Sequence, residues 1–328
     1  MTHKILITDY AWPSLDIERD ILGELPGELI VAETGEEDEL VSLAPEADAI
    51  MTCWKRTSSK VIDAAPNCRI VARYGIGLDN IDVDHATTLG IPVTNVPIFC
   101  LDEVAEHALA LMLAMTRRVA RFDRALRSGE YGGVPFAGIP RVTDMILGIL
   151  GYGNIGRRMG RKARGLGMHL LVTDPILIAL PKAEGMVVNL DALLAGSDVL
   201  TIHLPLTSET QGIIGEEAIA KMKPGTYLIN TSRGGTVDSD AVLSALDRGH
   251  LAGAALDVYP DEPPDLSHPL FQHPHFIGTP HVSFFSESSV RTLQSSTAQQ
   301  VRDCLQGKVP DNIVNPEHTE YTPRFSTG

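Results

Sequence analysis

At 328 residues the chain is longer than one hydrophobic core normally serves, so two domains are expected. A hydrophobic fraction of 44% and a charged fraction of 21% are those of an ordinary globular protein, not a disordered or fibrous one. The net charge of -15 disfavours a nucleic-acid partner, whose phosphates need stripes of Lys and Arg, but permits a small anion in a local pocket.

The opening "MTHKILITDY" has one apolar run, Ile5–Ile7, and no small-residue cleavage site, so it reads as a first strand and not as a leader. No stretch reaches the roughly 18 uninterrupted apolar residues of a membrane span. Cys53, Cys68, Cys100 and Cys304 form no CxxC pair and suit a reducing cytoplasm. Through the first hundred residues the runs "KILITDY", "ELIVAE", "DAIMTC", "RIVARYG" and "IPVTNV" alternate with helix-like stretches. That alternation predicts parallel βαβ units with helices on both faces.

One long helix is predicted from Leu101 to Ser128, with Asp102 and Glu103 at its start and arginines towards its end. Its centre, "ALALMLAM", is apolar nearly all round, which requires burial between layers or against another subunit. The loop "GEYGGVPFAGIP" follows. A second βαβ series then runs through "DMILGILG", "HLLVTD", "MVVN", "DVLTIHL", "TYLIN" and "AGAALDV". A last helix is predicted from about Glu287 to Leu305, and the polar tail after Pro316 is expected to be mobile.

The second series opens on a glycine motif. Gly151, Gly153 and Gly156 make GxGxxG between a strand and a helix, with Tyr152, Asn154 and Ile155 in the same turn. The first glycine allows the tight turn, the second lets a pyrophosphate approach the backbone, and the third lets helix and strand pack closely. Free N–H groups at the helix start would hold the phosphate. The next strand ends in Asp174, 18 residues beyond Gly156, placed to accept the ribose hydroxyls. It would repel a 2'-phosphate, and no arginine follows it at once in "TDPILIA", so NAD is expected over NADP.

Three later segments fall at strand ends of the same series, where open α/β sheets place ligands: "LINTSRGGTVD" with Arg233, "ALDVYPDEPP" with Asp257 and Glu262, and "IGTPH" with His281. For hydride transfer at a hydroxyl-bearing carbon, a histidine can move the proton and a carboxylate can fix its tautomer. An arginine can clamp a substrate carboxylate. Each residue alone also has a plain structural explanation, and spacing does not show that the three converge. His268, His273 and His275 crowd the approach to His281, but Pro269, Pro274 and Pro280 keep that segment extended and no cysteine is near. A zinc site is therefore not expected.

Taken together, "GYGNIG…D", "NTSRGG", "ALDVYPDEPP" and "TPH", with "VARYGIGLDNID", "NVP…DEVAEHAL" and "LPLTSETQGII", closely resemble the D-isomer-specific 2-hydroxyacid dehydrogenases over nearly the whole chain. The resemblance implies two Rossmann-like or flavodoxin-like doubly wound parallel-sheet domains with the active site in the cleft between them. Residues 1–98 and 289–328 would form a discontinuous substrate domain, and 99–288 the NAD-binding domain.

By the same resemblance His281 is the acid/base, Glu262 its partner, and Arg233 the carboxylate clamp. N–H groups around Ile76 and Gly77 would complete that clamp, with Arg73 close by. His203, Pro205, Thr231 and Asp257 match positions that line the cofactor, Asp257 near the carboxamide. The substrate would be a small 2-keto or 2-hydroxy acid such as glyoxylate, hydroxypyruvate or 3-phosphoglycerate, and the assembly a homodimer.

Within the family, Glu262 argues against a formate dehydrogenase, whose pattern has glutamine there. "TPHVSFFSESS" is similar to the branch of phosphoglycerate dehydrogenases and C-terminal-binding-protein co-repressors, with Phe284 where the co-repressors carry tryptophan. The chain ends soon after "DNIVN", so the regulatory extension of long phosphoglycerate dehydrogenases is not expected. The alternative reading is an NAD-responsive interaction protein. Retention of Arg233, Glu262 and His281 favours an enzyme. Phe284 and Phe285 either shape the substrate pocket or, as is commoner for two phenylalanines after a turn, belong to the core; core is the expectation.

Overall fold

The computed structural model describes residues 2–131, 138–181 and 183–320. The chain separates into two compact units: residues up to Phe99 with those from Ser286 onward, and Cys100–Phe285. The crossings lie one and three residues from the expected boundaries, because Cys100 and Ser286 are the N-caps of the helices on which the chain changes unit.

In the first unit the strands are β1 (His3–Ile7), β2 (Gly27–Val31), β3 (Ala49–Thr52), β4 (Val71–Arg73) and β5 (Val93–Thr94). All pair in parallel, in the order β2-β1-β3-β4-β5. Between them run α1 (Asp16–Leu22), α2 (Glu37–Leu43), α3 (Ser59–Asp63) and α4 (Val83–Thr88). Leu6, Ile50, Val71 and Val93 are fully buried in one core with helix residues Leu40, Val61 and Ala86. Burial on both faces is why these strands read as continuous apolar runs and not as alternating ones.

The second unit opens with α5 (Leu101–Thr116) and α6 (Val119–Arg127), two helices where one was predicted. The helix stops because Arg118 takes a left-handed conformation, φ 55°, just past the cap at Arg117. The apolar surface ends at the same place. Val104, Ala108, Leu111, Met112 and Met115 of α5 are buried, whereas no residue of α6 is. With no core face to continue along, the chain is free to turn.

The remaining elements are β6 (Ile146–Leu150), α7 (Asn154–Gly165), β7 (His169–Thr173), β8 (Met186–Val187), α8 (Leu190–Gly196), β9 (Val199–Ile202), α9 (Glu216–Lys221), β10 (Thr226–Asn230), α10 (Ser239–Asp247), β11 (Leu251–Leu256) and β12 (Phe276–Gly278). The seven strands form one parallel sheet ordered β12-β11-β10-β9-β6-β7-β8. The direction of progression reverses between β6 and β9, and that switch point opens a crevice beyond the strands' carboxyl ends.

The last helix, α11 (Glu287–Leu305), starts in a Ser286/Ser289 capping box. It is tied into the first unit by Gln294 Nε2, which donates to Glu18 at 2.8 Å, and by Gln300 Nε2, which donates to the Asn95 carbonyl at 2.9 Å. Pro316–Glu320 form a short 3-10 turn, and the rest of the tail lies outside the described residues, as does much of the "GEYGGVPFAGIP" loop. Among the described residues no helix is long and apolar enough to cross a membrane.

Candidate active site

The glycine turn follows β6 directly. Gly151 has φ 92°, and a Cβ there would lie 2.6 Å from the His203 carbonyl oxygen. A Cβ on Gly156 would lie 2.2 Å from the Gly151 oxygen, whereas one on Gly153 would meet nothing within 4 Å. Two of the three glycines are thus required by close packing, and the middle one faces open space at the start of α7. Asp174, at the end of β7, accepts the Tyr152 N–H at 2.8 Å on one oxygen and the Ile176 N–H at 3.0 Å on the other. A carboxylate oxygen can accept more than one bond, so both keep capacity for hydroxyl groups. Arg157 stacks over the Tyr152 ring at 5.2 Å, a cation on the first turns of α7 that motif reading passed over.

Two buried polar atoms at neighbouring strand ends have no hydrogen-bond partner among the described residues: His203 Nδ1 after β9 and Thr231 Oγ1 after β10. Buried polar atoms are normally satisfied, so such a pair suits a missing ligand with polar groups. Burial pulls the His203 pKa down to about 4, so the ring is neutral, and its Nε2 lies 3.0 Å from Thr201 Oγ1. Pro205 sits in the same post-β9 segment, where its carbonyl accepts the Thr210 hydroxyl at 2.6 Å. The turn, the open face at Gly153, the acid at Asp174 and these orphaned atoms fit a dinucleotide.

On the β10–β12 side, His281 Nδ1 lies 2.6 Å from Glu262 Oε2, and the other Glu262 oxygen accepts the Tyr259 N–H at 3.0 Å. Burial raises the Glu262 pKa, but the His281 hydrogen bond and charge, the Tyr259 N–H and the Arg233 charge outweigh it and hold the carboxyl below its ordinary value. Glu262 is therefore a carboxylate at neutral pH, and it fixes one ring nitrogen of His281. The other ring nitrogen, Nε2, is the one that can exchange a proton with a ligand.

Arg233 leaves β10 in an extended conformation. Its carbonyl accepts from Asn230 Nδ2 at 2.9 Å and Thr236 Oγ1 at 2.7 Å, which anchors the turn. A Cβ at Gly234 would sit 1.9 Å from the Tyr259 carbonyl carbon. Only glycine lets the Arg233 turn press against the loop that carries Glu262. That is the physical content of the SRGG motif.

Asp257 is fully buried, and its carboxylate is engaged by the protein itself. It accepts the Thr279 hydroxyl at 2.6 Å, the Val282 N–H at 3.0 Å and the Ser283 N–H at 2.9 Å. Its carbonyl also accepts the His281 N–H at 2.7 Å. These bonds hold His281 at φ 51°, a left-handed conformation that costs a non-glycine residue about 1 kcal/mol or more. His107 on α5 joins through Thr279, Nε2 to Oγ1 at 3.0 Å. His107 and Thr279 are half-buried network residues with no chemistry of their own to advertise. Only their presence inside the "AEHAL" and "TPH" motifs marked them.

The three neighbouring histidines do local work. His268 Nδ1 accepts the Leu270 N–H at 3.3 Å and its Nε2 meets Asp240 at 3.0 Å, while His273 Nδ1 accepts the His275 N–H at 3.2 Å. Phe284 packs edge-on to the His281 ring at 6.3 Å, and Phe285 beside it is half exposed. The expectation that both are core is corrected: the turn faces them towards the histidine and solvent, where no second layer covers Phe285.

In the first unit, the loop after β4 is built around Arg73. This side chain is only 8% exposed. Its guanidinium donates to the carbonyls of Gly77 at 3.1 Å, Thr52 at 3.4 Å and Tyr74. Asn95 Nδ2 takes the Ile76 carbonyl at 2.8 Å, and the Val96 N–H takes that of Gly75 at 2.9 Å. Every carbonyl from Tyr74 to Gly77 thus points at a donor. The N–H groups of Ile76 and Gly77 have no acceptor among the described residues, an arrangement of the anion-nest type. Arg73 shapes that loop from beneath.

Residues 109–283 match the family model described as "D-isomer specific 2-hydroxyacid dehydrogenase, NAD binding domain". The chain is 36% identical over 299 residues to a D-3-phosphoglycerate dehydrogenase of Archaeoglobus fulgidus, covering 88% of this chain and 56% of that one. It thus spans about half the length of the phosphoglycerate dehydrogenases it matches. It is 34% identical to a glyoxylate reductase of Thermofilum pendens, covering 87% of this chain and 86% of the relative. Among solved structures, a D-lactate dehydrogenase from Aquifex aeolicus with NAD and lactic acid superposes with a TM-score of 0.87 at 27% identity, over 95% of this chain and 99% of that one.

Proposed function

The chain belongs to the D-isomer-specific 2-hydroxyacid dehydrogenase family, and from that premise we propose that it is an NAD-dependent dehydrogenase reducing a small 2-keto acid. The observation that carries the reading is the 2.6 Å His281–Glu262 pair, standing with Arg233 at the strand ends of the same sheet that forms the dinucleotide turn. Relatives that bear the names phosphoglycerate dehydrogenase, glyoxylate reductase and lactate dehydrogenase are named for acids that share a carboxylate beside the reacting carbon and differ in the group, a hydrogen or a carbon chain, that this carbon carries besides.

In this reading Gly151–Gly156 and the start of α7 hold the pyrophosphate, Asp174 the adenosine ribose, and His203, Pro205 and Thr231 line the nicotinamide half. NADH, when bound, supplies a hydride to the keto carbon. Arg233 binds the substrate carboxylate through two parallel bonds and polarises the keto group. The Ile76 and Gly77 N–H groups are the second carboxylate donors. His281 delivers a proton from Nε2 to the oxygen as negative charge develops there, and Glu262 stabilises the imidazolium beforehand. In the oxidative direction the same nitrogen takes the proton back. Asp257 keeps the histidine's loop in place and is a positioning residue.

We further propose a homodimer and a cytoplasmic location. The exposed Val119 (57%) and Leu126 (61%) of α6 support the first, and four free thiols the second. The function is tested by following NADH and NADPH oxidation with a panel of 2-keto acids. Turnover of at least one acid, with NADH preferred at least about tenfold over NADPH because Asp174 repels a 2'-phosphate, is expected. Absence of turnover on every acid, with a stable protein partner captured instead, supports the interaction-protein reading.

A further inference from the structure

A second histidine stands behind His281. His107 is carried near the middle of α5, whose Ala105, Ala108, Leu111 and Met112 are buried in one core with Tyr227 and Ile229 of β10 and Ala255 of β11. A side chain on a helix fixed in this way is held more precisely than one on a loop. Its Nε2 lies 3.0 Å from Thr279 Oγ1 and 3.8 Å from Asp257 Oδ1.

Proton counting gives this contact a direction. The Asp257 carboxylate can only accept, and the Thr279 hydroxyl has one proton, which goes to Asp257 Oδ1 at 2.6 Å. The hydroxyl oxygen therefore accepts from His107, whose Nε2 carries the hydrogen. From Asp257 the chain of bonds runs into the loop after β12. Asp257 Oδ1 accepts the Val282 N–H at 3.0 Å, Oδ2 accepts the Ser283 N–H at 2.9 Å, and the Asp257 carbonyl accepts the His281 N–H at 2.7 Å.

His281 needs such a hold. Its left-handed backbone, φ 51°, is unfavourable for a non-glycine residue, and its ring must meet Glu262 at 2.6 Å while the other nitrogen stays free. Successive N–H groups from His281 to Ser283 all bind Asp257, so that residue sets the backbone of the loop. Thr279 lies on the same turn as His281 and moves with it. His107, 172 residues from Thr279, ties the turn to a rigid helix.

We infer that His107 is a positioning residue for the proton transfer: by donating to Thr279 it orients the hydroxyl towards Asp257 and so holds the His281 ring in its working direction. The inference rests on the dehydrogenase reading and adds a residue to its machinery. In this role His107 exchanges no proton with the substrate.

The test measures kcat and KM for the best keto acid, and NADH affinity by fluorescence titration, in His107→Leu, His107→Gln, Thr279→Val and the double variant of His107→Leu with Thr279→Val. Glutamine offers an N–H donor at the distance of the histidine Nε2, whereas leucine and valine offer none. His107→Leu is expected to lower kcat about thirtyfold, less than the roughly hundredfold that a misplacement of about 1 Å can cost. KM and NADH affinity should stay within about threefold of wild type, because no ligand contact is deleted. His107→Gln is expected to return kcat to within about threefold of wild type, since the donor is restored. Thr279→Val should fall about as far as His107→Leu, and the double variant no further than the larger single, because both cut one chain of bonds.

Losses that multiply in the double variant overturn the inference, as does a glutamine variant no better than the leucine one. A loss that falls on KM or NADH affinity and spares kcat overturns it too. Should His107→Leu fail to fold, Thr279→Val decides, and a kcat within about twofold of wild type sinks the inference. A wild type that turns over no keto acid overturns the dehydrogenase reading and the inference with it, so the two failures are distinct.

Discussion

The two units present polar groups at the carboxyl ends of parallel sheets, but they do so with different parts of the chain. In the second unit these groups are side chains: Arg233, Glu262 and His281 stand on the turns after β10, β11 and β12. In the first unit they are backbone groups: the loop carbonyls are bonded by Arg73 and Asn95, and two N–H groups have no acceptor among the described residues. Side-chain chemistry of the first kind needs residues of particular types. A backbone site needs only a loop of the right shape. The buried arginine here is scaffolding for such a loop, although its charge invites a role in binding.

That contrast can be broken by substitution. With Arg233 holding the substrate carboxylate as proposed, Arg233→Gln is expected to lower kcat/KM about a thousandfold, the order found for truncating one member of a buried charge pair. A loss below about tenfold would remove Arg233 from the clamp. Glu262→Gln keeps the shape of the carboxylate but not its charge, and an effect of about thirtyfold on kcat is expected from losing a charged hydrogen bond.

The same variant has a sign in pH. The folded Glu262 carboxyl lies below its ordinary value of 4.5, so its contribution to stability is present above that pH and lost as pH falls through the lowered value. Chemical denaturation should show wild type more stable than Glu262→Gln at pH 7, with the difference shrinking in acid. A difference that grows in acid contradicts the assignment.

Arg73→Met probes the backbone half. It removes three donated bonds, of whose acceptors the Thr52 carbonyl alone keeps a strong replacement in the Tyr74 N–H at 2.8 Å, at a cost of about 3 kcal/mol in unfolding free energy. Because the loop loses shape and no substrate contact is deleted, KM should rise about tenfold with kcat changed less. If kcat falls as steeply as with Arg233→Gln, Arg73 acts on the substrate directly and the contrast between the units fails.

Much of this was legible before any coordinates. Eleven of the twelve strands coincide to within a residue with the apolar runs, because strands buried on both faces, as most of these are, leave a plain hydrophobic signature. The glycine motif was legible because Gly151 and Gly156 are imposed by packing at single positions. The break of the long helix at Arg118 was not. Two arginines in sequence favour helix continuation, and only the end of the apolar face after Met115 hinted otherwise. The Asp257–Thr279–His107 network was hidden because His107 and Thr279 lie 172 residues apart, and the inward turn of Arg73 because its bonds go to backbone carbonyls, which every residue type supplies.

The central claim is that His281 moves a proton in a reaction whose cofactor it does not hold. His281→Asn should be measured for NADH affinity by fluorescence titration and, in the same preparation, for NADH oxidation with the best keto acid. The account predicts NADH affinity within about threefold of wild type and turnover lower by about a thousandfold, the scale of general acid catalysis. Turnover near that of the wild type would contradict it.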